Sequence, residues 1–168
     1  MILYGEVLRQ FQEQKVKYVI VGGIAVNLLG ALRNTADMDI LVEMSDENLR
    51  KVVHILKKKG YRVKLPVDPM GIADEKIRRD WIQKKHMKAF NFYKENELKE
   101  VDIIIDSPVS FEEAASSAVR IKIDDTVLPV ISIDNLIKMK KDTGRSVDTL
   151  DVEELRKIKR LLSIKAAR

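Results

Sequence analysis

Four consecutive apolar residues, Tyr18-Val19-Ile20-Val21, run straight into Gly22-Gly23, and Asp37-Met38-Asp39 then leads into a second apolar run, Ile40-Leu41-Val42. A short, largely β-branched run closed by glycine reads as a buried strand, because a buried helix needs more residues to present a face. Ile24 to Leu29 then reads as a short helix stopped by Gly30, and Asp37 to Val42 as a second strand. Strand, glycine pair, helix and strand in that order confine the chain to a sheet-based α/β architecture. Glycines at a strand-to-helix turn let the backbone approach a phosphate closely, and the helix start offers it free N–H groups. A simple tight turn would use the same residues.

The rest of the chain fits that frame. Val7, Leu8 and Phe11 at helical spacing predict a first amphipathic helix over Glu6–Gln14, and Leu49, Val52, Val53 and Leu56 predict another over Asp46–Lys59. Ser45 precedes the latter as an N-cap, with Asn48 where a complete capping box has Glu or Gln. Pro66, Pro69 and Gly71 mark a loop, followed by a short helix near Asp74–Gln83. Two strands, Met87–Tyr93 and Leu98–Ile105, flank the turn Lys94-Glu95-Asn96-Glu97. A hairpin is expected from Val119–Ile123 and Val127–Ile131, with Pro129 placing its second strand at a sheet edge. Ile133–Asp142 and Asp148–Leu162 predict two closing helices. The expectation is an α/β (α+β) fold: one domain spanning 1–168, a mixed β-sheet flanked by helices, with residues 132–168 forming a helical C-terminal part.

Composition narrows the function classes. With 168 residues and 45% hydrophobic content, the chain can bury a real core. No apolar run is long enough to span a bilayer, and the N-terminal Met1 to Gly5 stretch lacks the basic and apolar regions of a secretion signal. Cysteine is absent, which removes disulfides and thiolate zinc sites. These features predict a cytoplasmic protein without membrane contact. The formal charge of +5 points toward anionic partners or to a solvated Lys/Glu-rich surface.

The chemistry gathers around the acids. Asp37 and Asp39, two apart on one strand, share a face with Cα atoms roughly 6.5–7 Å apart. Like charges so placed are costly unless water or a cation lies between them. A hard divalent ion is commonly held by one or two carboxylates together with substrate phosphates. Asp102, in Glu100-Val101-Asp102-Ile103-Ile104, is a lone acid on another apolar strand. Asp106 shares its parity and competes with it, although Asp106 stands at a strand end where water can solvate it.

Val21-Gly22-Gly23-Ile24 with Asp37-Met38-Asp39-Ile40 resembles the signature of the polymerase-β-like nucleotidyltransferases. Arg33-Asn34-Thr35-Ala36-Asp37-Met38-Asp39 is similar to the Arg-x-Thr-x-Asp-x-Asp form of small prokaryotic members, the AbiEii toxin-like and related uncharacterised groups. The ending Leu136-Ile137-Lys138-Met139-Lys140, Gly144-Arg145 and Asp148 to Asp151 resembles theirs as well. The resemblance implies a nucleotidyltransferase fold and transfer of a nucleoside monophosphate from an NTP to a hydroxyl. Asp37, Asp39 and Asp102 would be catalytic and hold Mg²⁺ (or Mn²⁺), with Asp102 as the base for the acceptor hydroxyl. Gly22, Gly23, Arg33, Thr35 and Lys140 would bind the nucleotide. For Arg33 the alternative is a solvated loop residue. For Lys140, Arg145 and Asp148 the alternative is a structural ion network.

The acceptors favoured by the resemblance are a tRNA end or a protein side chain, ahead of a small molecule such as an aminoglycoside. A place in a toxin–antitoxin pair is compatible with it. The contrasting reading is a catalytically idle interaction or nucleic-acid-binding module, against which the retention of three acids argues. Oligomeric state is not legible. Arg78, Arg79, Trp81 and His86 could touch RNA, but a cationic helix face with Trp81 in the core is the preferred reading. His54 is given no role.

Overall fold

Burial of Val7, Leu8 and Phe11 produces the first helix, α1 (Gly5–Glu13), in the computed structural model, which describes residues 3–168. Met1 and Ile2, part of the N-terminal stretch read for a secretion signal, lie outside the described residues. The chain continues through β1 (Tyr18–Val21), α2 (Gly22–Leu28), β2 (Met38–Val42), α3 (Asp46–Lys58) and β3 (Tyr61–Val63). A 3₁₀ turn at Pro69–Ala73 leads into α4 (Glu75–Gln83), β4 (Ala89–Lys94), β5 (Glu100–Ile104) and α5 (Phe111–Ser116). The hairpin β6 (Val119–Ile123) and β7 (Thr126–Val130) precedes α6 (Ile133–Thr143) and α7 (Ser146–Ala166). The strands form one seven-stranded sheet in the order β3-β4-β5-β2-β1-β7-β6. It is mixed, since β2 with β5 and β1 with β7 run parallel and the other pairs antiparallel.

Strand parity separates a core face from an open one. On β4 and β5, Phe90, Phe92, Val101 and Ile103 are buried, whereas Asn91, Glu100, Asp102 and Ile104 between them are half-buried. On β2 the same alternation buries Met38 and Ile40 and leaves Asp39 half-buried. The buried side chains of α1 and α3 join this core, each large one contributing about 1.5–3 kcal/mol of burial energy. Trp81 stacks on Phe90 with ring centroids 5.0 Å apart, so it is a core residue and not a base-stacking one. Arg78 beside it is also buried, donating to the carbonyls of Ile72 (2.6 Å) and Met44 (2.8 Å).

Two details depart from the sequence reading, at β3 with α5 and at Pro129. β3 and α5 were not anticipated, being too short to show a period. The Ser45 cap with an incomplete capping box is as expected, and Asn48 takes another part. The Ser45 hydroxyl accepts its N–H, while its side chain bonds both backbone groups of Lys17 and the carbonyl of Glu43, joining α3 to the ends of β1 and β2. Pro129 is not on an edge strand, because β7 lies between β1 and β6. The Ile131 N–H donates to the Ile20 carbonyl, and Pro129 falls at the next rung on that side, where the short parallel ladder ends.

Candidate active site

The sheet register aligns the acids. Val21 pairs with Asp39, Asp39 with Asp102, and Asp102 with Asn91, one row across β1, β2, β5 and β4. Asp37 lies just before β2 and is exposed, so the two acids of the Asp-x-Asp pair differ in surroundings although they share parity. Glu100 shares the face of Asp102 and is bound by Lys64. The site is therefore strongly acidic. Burial, reinforced by the Asp102 and Asp37 carboxylates, pushes Asp39 from its ordinary 3.8 up to about 7. Burial also raises Asp102, with the Asn91 hydrogen bond opposing the rise and Asp37 and Glu100 adding to it. Glu100 is held low by hydrogen bonds from Lys64 and Asn91.

Two half-buried carboxylates side by side, both resisting ionisation, form a donor set suited to a hard divalent cation. The residues that would hold Mg²⁺ are Asp39 and Asp102, with Asp37 at the open side. Among the described residues no three such side chains already converge as a closed cage. Substrate phosphate oxygens would complete the shell, the usual arrangement for Mg²⁺. Asp106, the competitor of Asp102, is bound by Lys88 at the strand end.

Both glycines are required by close approach. Gly22 has φ +66°, and a Cβ there would lie 1.9 Å from an Asp39 carboxylate oxygen. A Cβ on Gly23 would lie 2.8 Å from Thr35 Oγ1, so Thr35 packs on the start of α2. The first turn of α2 has no side-chain cap. Gly22→Ala is accordingly expected to displace Asp39 and strain the backbone, destabilising the fold by about 1–3 kcal/mol. Thermal unfolding measures this, and an unchanged midpoint would contradict the close packing of Gly22 on Asp39.

Asn27 on α2 brackets the following loop, donating to the Arg33 carbonyl (2.8 Å) and accepting the Arg33 N–H (2.6 Å). Tyr4 braces the acids from below. Its hydroxyl accepts the Glu100 N–H (3.1 Å) and lies within bonding distance of the carbonyls of Ala36 and Glu100. Neither contact has a sequence signal, because each joins residues remote in the chain.

Lys140 is buried, and its amine donates to Asp148 (2.9 Å) and Asp151 (2.7 Å). Asp151 also meets Arg33 at 3.4 Å, and Asp148 accepts from Thr143 and Arg145. Burial works against the charge on Asp148, but Thr143, Lys140 and Arg145 keep its carboxyl below the usual range. The arrangement is the structural ion network that stood as the alternative for Lys140, and it takes in Arg33 as well. Arg145 is the cation of this group left open, at 67% side-chain exposure, with Nε on Asp148. A cleft of about 460 Å³ runs from Gly22 and Asp39 past Ile104 and Pro108 to Lys140 and Arg145.

The model of the aminoglycoside-2''-adenylyltransferase family matches residues 4–155. The chain belongs to this family. It is a nucleotidyltransferase, and the aminoglycoside-2''-adenylyltransferase match carries the general resemblance to that superfamily but not the narrower likeness to AbiEii-type toxins. No curated protein matches the chain. Among solved structures, lincomycin-bound LnuA, a lincosamide antibiotic adenylyltransferase, is 19% identical with a TM-score of 0.63, covering 93% of this chain and 96% of its own. ANT(2'')-Ia in complex with adenylyl-2''-tobramycin is 16% identical at 0.57, covering 99% and 96%. A nucleotidyltransferase-like protein from Paracoccidioides brasiliensis is 15% identical at 0.54, covering 95% and 75%. At such identities these likenesses establish the nucleotidyltransferase fold of this family member.

Proposed function

We propose that the protein transfers a nucleoside monophosphate, AMP being the first choice, from an NTP to a hydroxyl of a small cationic antibiotic. The observation that carries the reading is the pairing of Asp39 with Asp102 on neighbouring strands, with Asp39 packed on Gly22 where both line the cleft. The acceptor oxygen attacks the α-phosphorus, a P–O bond forms, the α–β bridging bond breaks, and pyrophosphate leaves. Asp102 accepts the hydroxyl proton. Asp37, Asp39 and Asp102 would hold Mg²⁺, which would supply charge neutralisation for the phosphates. The guanidinium of Arg145, open beside the cleft, binds phosphate oxygens. Arg33 and Thr35 shape the loop that carries Asp37, and Lys140 acts on the site through the ion network.

The acceptor follows from charge and family. Six of the 31 cations, Arg156, Lys157, Lys159, Arg160, Lys165 and Arg168, follow the last acid, Glu154, so the positive excess lies in that tail and not in the rest of the chain. The site itself is acidic, with Asp37, Glu100 and Asp102 around Asp39. An acidic face suits an amino-substituted acceptor, as the family match also suggests, and repels a tRNA end. No observation favours a protein side chain or a toxin role. No described helix is long and apolar enough to cross a membrane. The cytoplasm, which supplies NTP and Mg²⁺, is the compartment that goes with this activity.

The test incubates the protein with each of the four NTPs, Mg²⁺ and either tobramycin or lincomycin, following pyrophosphate and the acceptor mass. A nucleotidyl adduct on tobramycin is expected. Pyrophosphate with neither antibiotic, but with bulk tRNA, would overturn the acceptor. No binding of any NTP by the folded protein would overturn the enzyme reading in favour of an idle module.

A further inference from the structure

Asn91 occupies the centre of β4, between the buried Phe90 and Phe92 and directly across from Asp102. Its Nδ2 spends both protons on carboxylates, donating to Asp102 Oδ1 at 2.5 Å and to Glu100 Oε2 at 2.9 Å. Its Oδ1 is buried and has no hydrogen-bond partner. Turning the amide over would set that oxygen against two carboxylates, so the acids dictate its orientation. Asparagine is also a poor strand former, and a buried carbonyl without a donor is destabilising. A β-branched residue would serve the sheet better on both counts. The fold bears these costs at a position whose side chain donates to Asp102.

We propose that Asn91 is a positioning residue for nucleotidyl transfer, fixing the carboxylate of Asp102 in the orientation used for metal and acceptor. Lys64 anchors the far side of the same chain of contacts through Glu100 Oε1, so Lys64, Glu100, Asn91 and Asp102 are tied in sequence across the sheet. Asn91 touches neither substrate nor metal. It acts by denying Asp102 its other rotamers and by keeping Glu100 and Asp102 from collapsing onto one shared cation. The catalytic consequence rests on the nucleotidyl-transfer reading above; the effect on metal affinity does not.

The test compares wild type with Asn91→Val and Asn91→Thr. Mn²⁺ affinity is read by electron paramagnetic resonance, stability by thermal unfolding, and turnover with NTP and tobramycin. Asn91→Val is expected to fold with an unfolding midpoint equal to or above wild type, while Mn²⁺ affinity and kcat each fall about 10–100-fold and the KM for NTP moves little. Asn91→Thr, which restores a donor on a β-branched frame, is expected to recover part of both losses. A folded Asn91→Val protein with wild-type Mn²⁺ affinity overturns the proposal, and so does a lowered midpoint with unchanged kcat. If wild type transfers nothing yet Asn91→Val loses Mn²⁺ affinity, the positioning role stands and the proposed function falls.

Discussion

Asp39→Asn is expected to yield a protein that is more stable than wild type in the absence of metal and has lost transfer activity by about 10³-fold or more. The two effects share one cause. Asp39 is half-buried beside Asp102 and Asp37, and its folded-state pKa of about 7 stands above the ordinary 3.8. A raised folded pKa means that the folded state binds the proton more tightly. Its contribution to stability is therefore present in full below about pH 4 and is lost as the pH rises through about 7. The neutral amide avoids that loss. Unfolding free energies of the two proteins should coincide near pH 4 and diverge by about 2–4 kcal/mol at pH 8, since each tenfold difference in proton affinity is worth about 1.4 kcal/mol. Mg²⁺ should stabilise wild type and leave Asp39→Asn unmoved. Chemical denaturation across pH, with and without Mg²⁺, measures all of this; a variant less stable than wild type at pH 8 would contradict a half-buried, charge-crowded Asp39.

Lys140→Met is expected to destabilise by about 3–5 kcal/mol, more than any surface substitution in the chain. The amine lies between two buried carboxylates at 2.9 and 2.7 Å, and its removal leaves Asp148 and Asp151 out of water with Thr143, Arg145 and Arg33 at their margins. The penalty is that of the stranded acids and not the worth of the pairs. Adding Asp148→Asn and Asp151→Asn to Lys140→Met should hence recover most of the stability. Urea unfolding of the single and triple variants tests this. A single-variant loss under about 1 kcal/mol would mean that the lysine is not held between buried acids, and would return it to the triphosphate.

The ion network also explains how the C-terminal helices serve a site built on the sheet. Arg33 lies on the loop between α2 and β2, Lys140 on α6, and Asp148 and Asp151 on α7. Their mutual neutralisation fixes that loop, and with it Thr35 and Asp37, against the helices that wall the cleft. Lys140 and Arg145 draw Asp39 toward ionisation while never touching it.

How much of this was legible in the sequence depends on the range of the forces concerned. The strand–Gly-Gly–helix unit and the Asp-x-Asp strand declare themselves through apolar runs, glycine and period, which act within a few residues, and their elements lie close to the expected bounds. Asp102 stood out because a lone acid among Val101, Ile103 and Ile104 is costly wherever the strand pairs. Its placement next to Asp39 was decided only when β5 paired with β2 in parallel, at a register local sequence does not encode. Tyr4, Asn48 and Asn91 carry no sequence signal for the same reason: each is polar and ordinary in its own segment, and gains its meaning from a backbone or carboxylate brought across the sheet. Pro129 misleads because proline reports a missing donor and not the strand order around it. Local pattern along the chain places most strands and helices of the nucleotidyltransferase fold, β3 and α5 excepted. Which acids face one another, which cations are held by buried carboxylates and which remain open to a substrate depend on long-range pairing and on burial, and these emerge with the folded sheet.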